Sequence, residues 1–191
     1  MHRDTGGTDF ARYCYSVWLR HLTIAYENGL STHPRIIAEL GPGYSVGIGL
    51  AGLISGANKY YSFGVVKYSI INKNLKIFDE IAELFSKRED IPCEDEFPRV
   101  KPNLKSYIFP DHIFTDFHLE QCLKPERLSA IKSAILNVDN QSYEGKVLIK
   151  LFVPWYDSRI IQKESVALYI LKQCLNMWKI LIIRTNPYLI G

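Results

Sequence analysis

The chain is poor in cysteine, and what it has is scattered: Cys14, Cys93, Cys122 and Cys174 form neither a CxxC pair nor a Cys/His ligand pattern. That spacing argues against a zinc site or a disulfide framework and fits a reduced compartment, so a cytoplasmic location is expected and no metal is. Also lacking is an apolar run of the roughly 18 residues that span a bilayer. Ile180 to Ile183 is stopped by Arg184, and no signal peptide opens the chain, so neither export nor membrane insertion is expected. A dominant charge sign is missing too. The 23 Lys and Arg are scattered among 20 Asp and Glu, a net charge of +3 without the basic stripe that nucleic-acid binding needs. What remains is 191 residues of globular composition, 47% hydrophobic and 23% charged, long enough for one domain with a sizeable core.

The stretch from Arg35 to Val66 organises the rest. Ile36 to Leu40 is a short, partly β-branched apolar run, and Gly41-Pro42-Gly43 forces a sharp turn after it. Helix is expected from about Ser45, an acceptable N-cap, followed by a second strand in Tyr60-Tyr61-Ser62-Phe63-Gly64-Val65-Val66. Glycines at such a turn let backbone N–H groups approach a ligand, and the helix start adds a positive dipole end. A nucleotide-like cofactor is the natural occupant; an ordinary glycine turn in another α/β domain is the plain alternative. A dinucleotide site places Gly-x-Gly-x-x-Gly directly after the strand and an acid about 20 residues on. Gly41, Gly43 and Gly47 are one position off that spacing, and the acid, Glu39, lies inside the strand end.

Glu39-Leu40-Gly41-Pro42-Gly43 resembles motif I of the class I S-adenosylmethionine-dependent methyltransferases, and the segments Gly56 to Val66, Tyr68-Ser69 and Asn74 to Phe85 resemble a bacterial subgroup associated with glycan and cell-surface biosynthesis. The resemblance runs from about Gly6 to Val166. It implies an α/β Rossmann-like methyltransferase fold, a parallel sheet with helices on both faces, in one domain over residues 1–191. It also implies S-adenosyl-L-methionine as cofactor, with Glu39, Leu40, Gly41, Pro42, Gly43, Gly64 and Val65 around it, and a small-molecule or glycan acceptor. Two positions depart from the family: Tyr44 stands where an acid is usual, and Gly64 where an Asp normally holds the ribose hydroxyls. Losing that acceptor costs about 1.5–3 kcal/mol of cofactor binding, on the order of ten- to a hundredfold in affinity.

Ahead of the first strand, Thr8 to Asn28 reads as a helix capped by Thr8 and stopped by Asn28-Gly29, with Phe10, Tyr13, Cys14, Val17, His21 and Ala25 on one face. Tyr13, Trp18 and Arg20 are candidates for a lid over the cofactor, although an aromatic stripe at helical spacing is more often core, and His21 reads as a packing residue. Asn74 to Glu89 is the clearest helix, with Leu75, Phe78, Ala82 and Phe85 on its apolar face. Residues 90–140 read as an insertion. Its Pro-rich start, to about Phe114, is a candidate cover for an acceptor pocket or a solvated surface, and helices are expected over Asp116 to Leu123 and Pro125 to Val138. Lys146 to Pro154 is the third strand. In the family an acid just after it binds the adenine amino group, which makes Asp157 the candidate, with Trp155 or Tyr156 against the ring; Asp157-Ser158 also suits a simple turn cap.

After Val166 the resemblance ends. Read with the third base of each codon joined to the first two of the next, Met177-Trp178 must give Val and Trp178-Lys179 must give Glu, and the surrounding codons can give Ala-Val-Phe-Glu-His-Val-Glu-Asp. The family places such a peptide after its fourth strand. A frameshift near Ala167 is therefore expected, with the last strands and helices of the sheet missing and a central strand left open. No catalytic base is assigned; His112 and His118 are weak substitutes for the lost acid-histidine pair.

Overall fold

In the computed structural model, residues 7–65, 70–140 and 142–154 are described, together with the backbone of 168–171 and 180–181. The elements run α1 (Ala11–Glu27), β1 (Ile36–Leu40), α2 (Gly47–Ile54), β2 (Lys59–Phe63), α3 (Ile71–Ser86), α4 (Asp116–Cys122), α5 (Pro125–Leu136), β3 (Leu148–Phe152), β4 (Leu168–Leu171) and β5 (Ile180–Leu181). They form an α/β fold around one sheet of order β3-β2-β1-β4-β5, parallel except for β5. Leu168–Leu171 pairs with β1, so the expectation that this edge stands open is corrected. Among the described residues, no helix is long and apolar enough to cross a membrane.

The connections explain where the helices lie. Successive parallel strands β1, β2 and β3 step in one direction, and right-handed crossovers put every intervening helix on the same side of the sheet. Ile37, Tyr60 and Ile149 face that side and join residues of α1, α2, α3 and α5 in the main core. On the opposite side Ala38 and Phe63 form a smaller cluster with Ile36, Leu40, Tyr61 and Phe152, all of them strand residues. The described helices thus cover one face, where both had been expected.

Local signals explain several boundaries. Gly29, at φ +69°, ends α1 as foreseen, with its N–H bonded to Tyr26 O and that of Leu30 to Ala25 O. Helix α3 runs three residues earlier at both ends than its apolar pattern predicts. Arg88 terminates it in the left-handed conformation usually left to glycine, held by ion pairs to Asp111 and Asp116. Helix α1 starts at Ala11 behind Phe10, which makes no side-chain cap and is exposed; Thr8 does not cap it. Strands β2 and β3 are each shorter than expected, ending at Phe63 and Phe152.

The insertion packs as a layer against α1 and the main core. Arg20, fully buried in α1, donates to the carbonyls of Pro92, Val100 and Pro102 and to Ser16 Oγ, while its guanidinium lies 5.0 Å from the Tyr107 ring centre. Val100, Phe109, Ile113 and Phe114 join the main core beside it. Trp18 is equally buried and donates to Ser55 Oγ at 2.7 Å. Tyr13 packs edge-on against Phe97. Arg20 and Trp18 are therefore core residues and Tyr13 packs at the margin of the core, which is the packing alternative to the lid for this stripe. His21 is buried with its Nδ1 2.7 Å from Val17 O, a packing residue as foreseen.

Replacing Arg20 by Met strands several carbonyls and is expected to cost about 3 kcal/mol in urea denaturation. Burial holds the imidazoles of His21 and His118 below their ordinary value, and Arg20 and His33 respectively push the same way. The unfolded chain takes up those protons first, near pH 6.5, so stability is full above about pH 6.5 and declines below it. Thermal midpoints should fall from about pH 7 to about pH 5, and less steeply in His21→Gln.

Candidate functional site

Strand β1 lies between β2 and β4: from β1 the strands step outward through β2 to β3, and the next strand in sequence, β4, stands on the other side of β1. Open α/β sheets bind ligands outside the carboxyl ends of the strands at such a switch point. The glycine turn stands there. Gly41 and Gly43 take φ of +72° and +77°, a region that costs an L-residue roughly 1–2 kcal/mol. The Gly41 N–H still donates to Phe63 O at 2.8 Å, so the ladder with β2 runs one residue past the strand while the chain bends away. Leu40 pairs with Phe63, which sets Gly41 beside Gly64, whose own N–H donates to Phe152 O at 3.1 Å. Glu39, Leu40, Gly41, Pro42, Gly43, Gly64 and Val65 are thus brought to the carboxyl ends of β1 and β2. Asp157, with Trp155 and Tyr156, lies outside the described residues.

The turn is tied to two other elements by side chains that sequence reasoning missed. The Tyr44 N–H donates to Thr8 Oγ1 at 3.1 Å, and the Val46 N–H to Asn74 Oδ1 at 3.3 Å. The Gly47 N–H donates to Ser45 Oγ at 3.1 Å, and that hydroxyl donates to the Thr8 carbonyl. Helix α2 accordingly begins at Gly47 behind Val46, with Ser45 one position before its expected helical role. Lys73 pairs with Asp9 and lies 5.9 Å from the Tyr44 ring centre. A polar Asn74 inside an otherwise apolar helix face was the one available signal.

Glu39 points to the helix side and is fully buried. Its Oε2 accepts the Tyr60 hydroxyl at 2.6 Å. Burial, with the Glu39 charge adding to it, holds the Tyr60 hydroxyl well above its ordinary value, so Tyr60 is a standing proton donor. The Tyr60 ring in turn lies against Gly49 of α2, where any Cβ would collide with it. The acid is therefore fixed on the helix side of β1, two residues before the turn. On the other side of the sheet Phe63 and Phe152 stack at 4.9 Å and 8° at the ends of β2 and β3, while Val65 is exposed.

His112 and His118 are elsewhere. His118 Nε2 is 3.1 Å from Ser55 O, just past the end of α2, and His112 packs against Tyr26 near the end of α1. Both therefore stand near the carboxyl ends of these helices, away from the turn that precedes α2. A groove of about 540 Å³ floored by Phe10, Ala11, Leu84 and Phe97, and one of about 260 Å³ along β3, include no residue of the turn in their walls.

No family model, curated protein or solved structure matches this chain. Its functional reading rests on its own residues and geometry. If Tyr60 and Glu39 support the turn as a pair, Tyr60→Phe is expected to destabilise the fold by about 1–3 kcal/mol in urea denaturation, because it leaves a buried carboxylate without its hydroxyl donor.

Proposed function

We propose that this chain binds S-adenosyl-L-methionine at the glycine turn and belongs by design to the class I methyltransferases, with a small-molecule or glycan acceptor. The observation that carries this reading is the pairing of a buried strand-end acid, Glu39, with two left-handed glycines, Gly41 and Gly43, at the switch point of the sheet. The residues present fit such a cofactor: backbone-only positions Gly41, Gly43 and Gly64 stand together at the strand ends, where side chains would obstruct close approach. The cofactor, when bound, supplies an electrophilic methyl group on sulfonium. The chain's own part is to hold it: Glu39 and Tyr60 fix the turn, Gly41 and Gly43 shape it, and the Phe63 and Phe152 rings close the neighbouring strand ends. Rate in such a site comes chiefly from alignment of acceptor and methyl, with a base needed only where the acceptor keeps its proton.

A second reading, a cofactor-binding remnant without turnover, is favoured by Gly64 and Tyr44, which replace the acids that the resemblance leads one to expect. A nicotinamide dinucleotide domain fits less well, because β2 ends without the acid that holds a ribose.

Calorimetric titration with S-adenosylhomocysteine separates binding from its absence, and transfer of radiolabelled methyl across a panel of glycan and small-molecule acceptors separates enzyme from remnant. Saturable binding that weakens roughly tenfold or more in Gly43→Val, about 1.4 kcal/mol, is the expected result. A chain that binds no S-adenosylhomocysteine overturns the proposal.

A further inference from the structure

A helix that starts after a glycine turn ordinarily offers its first N–H groups to phosphate oxygens, which is how nucleotides and dinucleotides are held. Here the N–H groups of Tyr44, Val46 and Gly47 are engaged by Thr8 Oγ1, Asn74 Oδ1 and Ser45 Oγ. Those three residues are at most 2% exposed, so a phosphate arriving from solvent would have to displace buried oxygens and strand them. The Ser45 hydroxyl is itself held by the Thr8 carbonyl, which links two of the three into one unit. Lys73, whose ammonium lies over the Tyr44 ring, is already paired with Asp9. Three amides at the entry to α2, and the cation beside them, are engaged from within the chain.

We infer that Thr8, Ser45 and Asn74 are specificity-determining residues: they close the turn to phosphate, so the site takes a nucleoside whose tail carries no phosphate and turns away nucleotides and dinucleotides. The inference rests on the reading of the turn as a nucleoside-cofactor site. It assigns the segment before α1 a role in ligand choice through Thr8, which reaches the turn from 36 residues away in sequence.

The test is calorimetric titration of the full chain with S-adenosylhomocysteine, adenosine, ADP and NAD. It is repeated on Thr8→Ala and on the double variant Thr8→Ala/Ser45→Ala, each checked for native circular dichroism. The wild-type chain is expected to bind adenosine at least about tenfold more tightly than ADP or NAD, and ADP is expected to gain about tenfold relative to adenosine in the folded variants. ADP or NAD bound by the wild-type chain as tightly as adenosine overturns the inference, and so does an unchanged ADP-to-adenosine ratio in a folded variant. If neither variant folds, the wild-type comparison decides alone. Adenosine bound without S-adenosylhomocysteine removes the methyltransferase reading and leaves phosphate exclusion standing; binding of none of the four removes both.

Discussion

Helix α2 lies against four elements at once, and it does so through positions that have no side chain. A Cβ on Gly47 would meet Cys14 of α1 and Ile77 of α3; one on Gly49 would meet the Tyr60 ring of β2; one on Gly52 would meet Ile37 of β1 and Trp18 of α1. Close-packed interiors have little room to adjust, so these contacts set where the helix can sit. From that seat follow the height of the glycine turn above the sheet, the burial of Glu39 and Tyr60 beneath it, and the approach of α1 and α3 from either side.

The approach of α1 and α3 makes the turn a rigid feature. Thr8 arrives just before α1 and Asn74 sits in the first turns of α3, so the two elements that flank α2 also hold its entry. Arg20 then fastens the far side of α1 to the insertion through main-chain carbonyls, and Arg88 fastens the end of α3 to the same layer through Asp111 and Asp116. The insertion stabilises the helical layer of the fold. A turn held this way is preorganised, which favours binding by removing the ordering cost.

Elements governed by local chemistry were readable from sequence. Strand β1 matches its apolar run residue for residue because Gly41-Pro42-Gly43 can only end it, α1 stops where Asn28-Gly29 dictates, and α5 starts at Pro125. Elements governed by distant partners were not. Thr8 looks like a helix cap, yet its hydroxyl serves a turn 36 residues on. Arg20 reads in sequence as a lid candidate, but the carbonyls that bury it lie 72 to 82 residues away. Arg88 ends α3 in a conformation that its residue type does not announce, stabilised by acids of the insertion. For the site, the Glu39 to Gly43 motif was legible, and the oxygens that occupy the neighbouring amides were invisible without the fold.

The central claim is that the turn at the switch point is held by buried side-chain oxygens and receives a nucleoside cofactor at its glycines. Residue-resolved amide hydrogen exchange tests it most directly, with and without S-adenosylhomocysteine. The amides of Tyr44, Val46 and Gly47 are expected to exchange as slowly as those of β1 in the free chain and not to change on addition, while Gly41 and Gly43 gain protection. Fast, solvent-like exchange at Val46 and Gly47, or no response at Gly41 and Gly43, would contradict it.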